Sequence, residues 1–272
     1  MWLPLRTARE GMAGEILCER DGSVASVTLS NPDKLNAVDA GMWRALKRVI
    51  DELSADDDLR CVVLQGAGDK AFAAGGDIEE FLTLRDTLDQ ALVYHGEWVA
   101  GALNAVAECR HPTLAMIRGA CIGGGLEIAG ACDLRLAGES ATFGAPINRL
   151  GFTMYHGELA GLLALSGPAV ALEILLEGRI LRAREAYEKG LVTRVVADDR
   201  LAAETGATVD RIRAGAPLVA RAHKKLVRRL GTRSAPLTAD EIRESLAYLE
   251  TEDYRTGMRA FLEKKPPRFT GR

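Results

Sequence analysis

The chain lacks the cysteine and histidine patterns of a metal or redox site. Its 272 residues include five cysteines and four histidines, and no two cysteines have the C-x-x-C spacing of a zinc or redox motif. An odd number of scattered cysteines is typical of reduced, buried thiols. We therefore expect no metal site, and we predict a cytoplasmic protein.

Long apolar runs and a strong net charge are also missing. No uninterrupted run reaches the ~18 apolar residues that a membrane-spanning helix needs, and the apolar stretch at the start is too short for a secretory signal. The net charge of −3 gives no reason to expect a nucleic-acid partner. We expect neither a membrane nor a nucleic acid as partner, so an anionic ligand would need local basic residues.

The overall composition is that of an ordinary globular protein, with 47% hydrophobic and 27% charged residues. Residues 15–29 alternate as two strands joined at Asp21-Gly22. Short apolar strands alternate with helical patterns up to about residue 197, which indicates an α/β core. Helical periodicity alone follows over 198–272. We interpret residues 1–14 as a disordered N-terminal extension.

Two glycine-rich turns stand out within this core. The first, Ala71 to Ile78, has Gly75-Gly76 before an acidic residue, and the second, Gly119 to Ala129, has three glycines at the start of a helix. Glycine frees a backbone N–H to face a ligand, and a helix N-terminus favours negative charge. Each turn alone also fits a purely structural role, as a capped tight turn or as a glutamate that compensates the helix dipole.

Together the turns favour oxyanion chemistry. Reactions of thioesters pass through an enolate or a tetrahedral oxyanion, and two backbone N–H groups that converge on that oxygen supply about 3–4 kcal/mol each. One glycine from each turn is a suitable way to build such a pair.

The same segments resemble motifs of the enoyl-CoA hydratase/isomerase (crotonase) family. The matching stretches are residues 31–37, 71–78, 119–133 and 181–196, in order along the chain. The resemblance implies a crotonase-like spiral of repeated ββα units with a helical C-terminal trimerisation region, hence a homotrimer or a dimer of trimers. It also implies acyl-CoA substrates, with coenzyme A as part of the substrate and no other cofactor.

The resemblance assigns roles to matching residues. The N–H groups of Gly76 and Gly124 would form an oxyanion hole, and Glu127 would be the first of the two catalytic glutamates of the hydratases. For coenzyme A binding we assign further positions, which are Lys34, Ala74, Asp77, Ile78, Lys224 and Lys225. The basic residues among them also fit a solvated helix face.

One departure concerns the second glutamate. The sequence reads Phe143-Gly144-Ala145-Pro146-Ile147 where the family carries a glutamate after the proline, and isoleucine transfers no proton. Glu158 is the candidate for a displaced partner, while an exposed acid in the first turn of a helix is the plainer interpretation.

Four functions follow from these residues. The leading one is a 2-enoyl-CoA hydratase or lyase that acts through a stabilised enolate. Isomerisation, decarboxylation or thioester hydrolysis on the same enolate is the alternative that Ile147 favours. A non-catalytic acyl-CoA-binding homologue would not need Glu127. A serine peptidase would need a nucleophile motif near a histidine, which the sequence does not contain.

Overall fold

Two β-sheets, built from strands that alternate along the chain, organise the protein. The computed structural model describes residues 14–214, 217–231, 239, 243, 247–250 and 252–265. The strands are β1 Glu15–Asp21, β2 Val24–Ser30, β3 Cys61–Gly66, β4 Ala71–Ala73, β5 Thr113–Ile117, β6 Ala120–Ile122, β7 Leu134–Gly138, β8 Thr142–Gly144, β9 Leu181–Arg182 and β10 Arg194–Val196.

The larger sheet has the order β1-β2-β3-β5-β7-β10 and the smaller one the order β4-β6-β8-β9. The β1–β2 and β8–β9 pairs are antiparallel, and the other pairs are parallel. Strands β3, β5 and β7 of the larger sheet are each followed directly by a strand of the smaller one. The chain therefore winds as a repeated two-strand unit with helices between the turns.

The helices complete this winding. They are α1 Ala40–Ala55, α2 Phe81–Leu84, α3 Leu88–Val93, α4 Ala100–Glu108, α5 Gly124–Ala131, α6 His156–Glu177, α7 Ala183–Glu188, α8 Leu201–Ala214, α9 Pro217–Gly231 and α10 Glu252–Leu262. Short 3-10 helices span Pro32–Lys34, Ile78–Glu80, Pro146–Leu150, Asp198–Arg200 and Ala247–Glu250.

The N-terminal hairpin forms as predicted, and the first helix follows it. Gly22 takes the left-handed conformation (φ 57°) in the turn between β1 and β2. Asp39 caps α1, because its Oδ1 accepts a hydrogen bond of 2.7 Å from the Met42 N–H. The expected extension lies outside the described residues except for Gly14, whose N–H donates to Asp39 Oδ2 at 2.7 Å.

The sequence has one continuous helical pattern over residues 87–109, but the structure does not form one regular α-helix there. Helices α3 and α4 are joined by a π-helical segment, Tyr94–Val99. A π-helix holds an extra residue relative to an α-helix and occurs frequently at functional sites. The segment buries Tyr94 and His95, which are 2% and 4% exposed.

Helix α6 is more apolar than the sequence interpretation allowed. By length and composition it could cross a membrane, which is weak evidence because core helices of soluble proteins pass the same test. It breaks at Gly167, where φ is 75° and ψ is 170°, immediately before Pro168. The expectation of no membrane partner stays a prediction.

Beyond Val196 the described residues form helices only, as the periodicity predicted. The division at residues 197 and 198 into a core and a C-terminal region stays a prediction. The sequence of the C-terminal region has apolar residues at helical spacing, and one of them, Leu249, is buried at 7% exposure. The side chains of the others lie outside the described residues; they are Leu218, Leu226, Leu230, Ile242 and Leu246.

Candidate active site

Three loops meet at one edge of the smaller sheet. Strands β4, β6 and β8 are adjacent and parallel, so the segments that follow them leave from the same edge. Gly75 follows β4 with a φ of 114°, and Gly123 follows β6 with a φ of 48°. Both conformations favour glycine. The Gly123 N–H donates to the carbonyl of Gly144, at the end of β8, at 2.8 Å.

This edge brings the two predicted oxyanion donors together. A Cβ built on Gly124 would lie 3.4 Å from the Gly76 nitrogen. Gly124 is the first residue of α5, so its N–H has no acceptor within the helix. No described residue accepts a hydrogen bond from the N–H of Gly76 or Gly124. The geometry fits an anionic oxygen, and its binding there stays a prediction.

Glu127 lies in the first turn of α5, as predicted. Its N–H donates to the Gly123 carbonyl at 3.0 Å, which fixes the residue directly behind the glycine turn. Burial of the carboxyl group raises the pKa of Glu127 well above its ordinary value, and the charge of Glu158 adds to that effect. Burial and the neighbouring charge therefore both favour the protonated form of Glu127.

Glu158 is buried, contrary to the interpretation as an exposed first-turn acid. Its side chain is 6% exposed, and its Oε2 accepts a hydrogen bond of 3.3 Å from the Tyr155 N–H. The Oε1 atom lies 2.6 Å from His95 Nδ1. Burial raises the pKa of Glu158 to about 8, while the Tyr155 N–H and the charge of Arg85 act in the opposite direction.

The two carboxyl groups form an acid–base pair. Their charges repel each other in a desolvated site, so the second ionisation is strongly disfavoured. Glu158 has a hydrogen-bond partner at each oxygen, whereas the pKa of Glu127 is raised first by burial and then by the charge of Glu158. When the pair carries a single charge, that charge therefore resides on Glu158 and the proton on Glu127, which is how paired carboxyl groups divide acid and base roles.

The sequence interpretation missed Arg85 and His95. Both are buried, at 0% and 4% exposure, and His95 lies between Arg85 and Glu158. A signal for His95 was present, because it falls in a helical stretch on the same face as Ala91, Val99 and other buried apolar residues. The position of Arg85, before α3, carried no such signal.

Two of the residues assigned to coenzyme A binding, Lys34 and Asp77, form an ion pair with each other. Lys34 Nζ lies 2.7 Å from Asp77 Oδ2 and 2.7 Å from Glu79 Oε2. These hydrogen bonds raise the pKa of Lys34. Asp77 Oδ1 accepts from the Glu79 N–H at 3.2 Å, which is the capping role weighed above. A contact between Lys34 and a coenzyme A phosphate stays a prediction. It requires the Lys34 ammonium group to bind the phosphate while it is also paired with the carboxylates of Asp77 and Glu79.

Ala74 and Ile78 flank the Gly75-Gly76 turn. The Ala74 N–H donates to the Leu35 carbonyl at 3.1 Å, and Ile78 packs partly buried against the core. Their position beside the turn is compatible with contacts to a bound thioester, which stay a prediction.

The two lysines of α9 differ. Lys224 Nζ lies 2.7 Å from Asp133 Oδ2 and 2.9 Å from the His111 carbonyl, and its side chain is 7% exposed. This internal ion pair does not support the predicted phosphate role of Lys224. Lys225 is exposed, and its role stays a prediction. Among the described residues, no group of three or more His, Cys, Asp or Glu is arranged to hold a metal.

Comparison with known proteins identifies the family. The sequence model for enoyl-CoA hydratase/isomerase matches residues 19–272. A probable enoyl-CoA hydratase of Mycobacterium bovis is 36% identical over 265 residues, which cover 94% of this chain and 98% of the relative.

Solved structures agree on the fold. An enoyl-CoA hydratase/carnithine racemase from Magnetospirillum magneticum is 47% identical with a TM-score of 0.79, and the match covers 94% of this chain and 96% of that one. Methylmalonyl-CoA decarboxylase in complex with 2-nitronate-propionyl-CoA is 26% identical with a TM-score of 0.84, over 94% and 98%. The predicted crotonase-like fold class is confirmed, and the chain belongs to the enoyl-CoA hydratase/isomerase family.

Proposed function

We propose that the protein is an acyl-CoA lyase that adds water to a 2-enoyl-CoA thioester. The thioester oxygen accepts hydrogen bonds from the N–H groups of Gly76 and Gly124. Glu158 is the base and Glu127 is the acid. Coenzyme A enters as part of the substrate, and no other cofactor takes part.

Two protons are transferred to or from the substrates in this reaction, one from water to Glu158 and one from Glu127 to the α-carbon. Glu158 takes a proton from water as the water oxygen bonds to the β-carbon of the substrate. The electron pair of the double bond moves towards the thioester, and the resulting enolate oxygen is held by the two N–H groups. The α-carbon then takes the proton of Glu127. One proton passes from Glu158 back to Glu127 and restores the pair.

The observation that carries the proposal is the second buried carboxyl group at this site. Ile147 removes the glutamate expected after Pro146, yet Glu158 lies near enough to Glu127 for its charge to raise the Glu127 pKa. Hydration needs a base and an acid, and these residues supply both. The names of the hydratase relatives support the same reaction.

Glutamine variants test the proposal, because they keep the shape of each side chain and remove its proton transfer. We expect Glu127→Gln and Glu158→Gln each to lower kcat for a 2-enoyl-CoA by roughly 100-fold or more. The measurement is the loss of enoyl absorbance on a series of chain lengths. Glu139→Gln is the matched control, since Glu139 is exposed at the end of β7.

An experiment on exchange of the α-proton, which reverses the protonation step, distinguishes the roles of the two residues. Glu127→Gln should also stop exchange of the α-proton of a bound acyl-CoA with deuterated water, because Glu127 carries that proton. Full hydration activity in Glu158→Gln would reject the displaced-base assignment. Full activity in both variants would reject the mechanism.

Decarboxylation of an acyl-CoA with a carboxylate on its α-carbon is the second candidate. The bond to the carboxylate breaks, CO₂ leaves, the electron pair forms the same enolate, and Glu127 protonates the α-carbon without a base. The similarity to methylmalonyl-CoA decarboxylase supports this reading, as does the loss of the glutamate at Ile147. Turnover of a malonyl-type CoA that survives Glu158→Gln, with no hydration of any enoyl-CoA, would establish it.

A further inference from the structure

Three buried polar side chains form a row behind the proposed base. Arg85 Nη1 lies 3.1 Å from His95 Nε2, and His95 Nδ1 lies 2.6 Å from Glu158 Oε1. Their residue exposures are 0%, 4% and 6%. Three such residues are seldom buried without a role, because each costs desolvation free energy.

The chemistry of the groups fixes the tautomer of His95. A guanidinium has donors only, so the His95 Nε2 that faces Arg85 accepts a hydrogen bond and carries no proton. With Nε2 unprotonated the ring is neutral, and burial and the charge of Arg85 act in the same direction, because they lower the pKa of His95 well below its ordinary value. The single ring proton is therefore on Nδ1 and is donated to Glu158.

Aromatic rings hold the row in place. The Arg85 guanidinium carbon lies 3.8 Å from the ring centre of Phe81 and 4.3 Å from that of Phe152. Arg85 Nη2 donates to the Tyr254 hydroxyl at 3.2 Å. The His95 ring stacks on Tyr155, with centres 5.5 Å apart and an angle of 19° between the planes. The His95 ring is therefore restrained on two sides.

We propose that Arg85 and His95 are positioning residues: Arg85 fixes His95 as the Nδ1–H tautomer, and His95 fixes the Glu158 carboxylate in place as the base. This inference rests on the proposed acid–base role of Glu158. Neither residue touches the substrate in this assignment. The π-helical segment Tyr94–Val99 serves it by presenting His95 inward.

The Nδ1–H donor stabilises the ionised form of Glu158, so its loss raises the pKa of that carboxyl group. The other titratable or charged groups that face this row or neighbour it come from the π-helical segment, α5, the start of α6 and α10. They are Tyr94, Glu127, Tyr155, His156 and Tyr254. Glu158 is the group that loses its hydrogen-bond donor when His95 is replaced, so a shift of the acid limb in that variant reports on Glu158.

The test compares pH profiles of kcat/KM for a 2-enoyl-CoA. His95→Phe removes the donor and keeps a ring, whereas His95→Asn keeps an N–H near the place of Nδ1. We expect His95→Phe to move the acid limb to higher pH and to lower kcat at pH 7 by about tenfold or more, with KM unchanged. His95→Asn should restore much of the loss, and Arg85→Met should act like His95→Phe. His223→Asn, on the exposed side of α9, is the matched control.

A measurement on the unmodified protein tests the proposal even when the variants do not fold. In ¹⁵N-histidine-labelled protein, His95 should be neutral and protonated on Nδ1 from pH 6 to 8, with the signal assigned by its loss in His95→Asn, or by its contact with Tyr155 protons. An Nε2–H tautomer, or an imidazolium, would overturn the proposal.

Failure of this inference is distinguishable from failure of the proposed function. If Glu158→Gln is inactive while His95→Phe keeps the wild-type profile, the base stands and the positioning role is wrong. If Glu158→Gln remains active, the proposed function falls first, and the inference falls with it.

Discussion

The burial of Glu127 and Glu158 lowers the stability of the folded protein. Each carboxyl group is desolvated and repelled by the other. The unfolded chain has no such penalty, so the native state holds a proton that the unfolded state releases as the pH rises above about 4.3. Stability is given up at this position in return for a poised acid.

This cost predicts a pH-dependent gain in Glu127→Gln. A carboxyl group whose pKa is raised on folding destabilises the native state increasingly as the pH rises from the unfolded pKa towards the folded one. Glutamine does not titrate, so the variant should be more stable than wild type at pH 8 by roughly 1 kcal/mol or more, with a higher Tm by about 2–4 °C. Calorimetry at pH 8 and at pH 4 measures it.

At pH 4 the difference should largely vanish, since both states of wild type are then mostly protonated. Glu139→Gln, which changes an exposed glutamate, serves as the reference at both values. Equal Tm values for wild type and Glu127→Gln at pH 8 would mean that Glu127 is not desolvated in the native state.

In the proposed mechanism, Glu158 takes the role of the glutamate that Ile147 replaces. Ile147 lies in the 3-10 helix after β8 and packs against the apolar core. Glu158 enters the site from the first turn of α6, and its N–H donates to the Tyr155 carbonyl at 3.0 Å. The two positions are eleven residues apart in the chain, but both segments continue from the same sheet edge.

At the scale of elements, the irregular helices carry the site. The π-helical segment joins α3 to α4, and it carries the buried residues Tyr94 and His95. Helix α6 supplies Glu158 at one end and breaks at Gly167. The break divides an apolar 22-residue segment into two helices that lie in different directions.

Two glycines of α6 give a matched pair of variants. A Cβ on Gly167 or on Gly161 would meet no atom within 4 Å, but only Gly167 has a positive φ. We expect Gly167→Ala to destabilise the protein by about 1–2 kcal/mol through backbone strain. Gly161→Ala should be neutral or stabilising by up to about 1 kcal/mol, because alanine favours the helix.

Urea unfolding of the two variants measures the difference directly. A Gly167→Ala protein as stable as Gly161→Ala would mean that α6 can straighten at little cost and that the break is not fixed by its backbone conformation.

At the scale of the whole molecule, α6 leaves an apolar surface uncovered. Leu172 and Leu176 are 53% and 71% exposed, and Leu163 and Ile180 exceed 40%. Large apolar side chains that are exposed in groups are typical of contact surfaces. The predicted trimer or dimer of trimers would bury these side chains in subunit contacts, in addition to the contacts expected from the C-terminal helices.

Light scattering should therefore give a mass three or six times the 29.3 kDa of one chain. Leu176→Glu places a charge on the exposed face and should shift the distribution towards smaller species at micromolar concentration. Leu17→Glu, on β1 at 41% exposure, is the control that should leave the mass unchanged. A monomeric wild-type protein would contradict the predicted assembly.

The sequence by itself determined the α/β class, the order of most elements and the glycine turns, because these follow from local periodicity and backbone freedom, whereas the crotonase-like spiral was implied by the resemblance of its motifs to a known family. It placed Glu127 in the first turn of α5 for the same reason. The burial of Glu158, the ion pair of Lys224 and the row from Arg85 through His95 were decided only by the tertiary structure. They depend on which side chains the parallel strands β4, β6 and β8 and the break in regular helix bring together, and contacts between residues 63 positions apart leave no periodic trace in a chain.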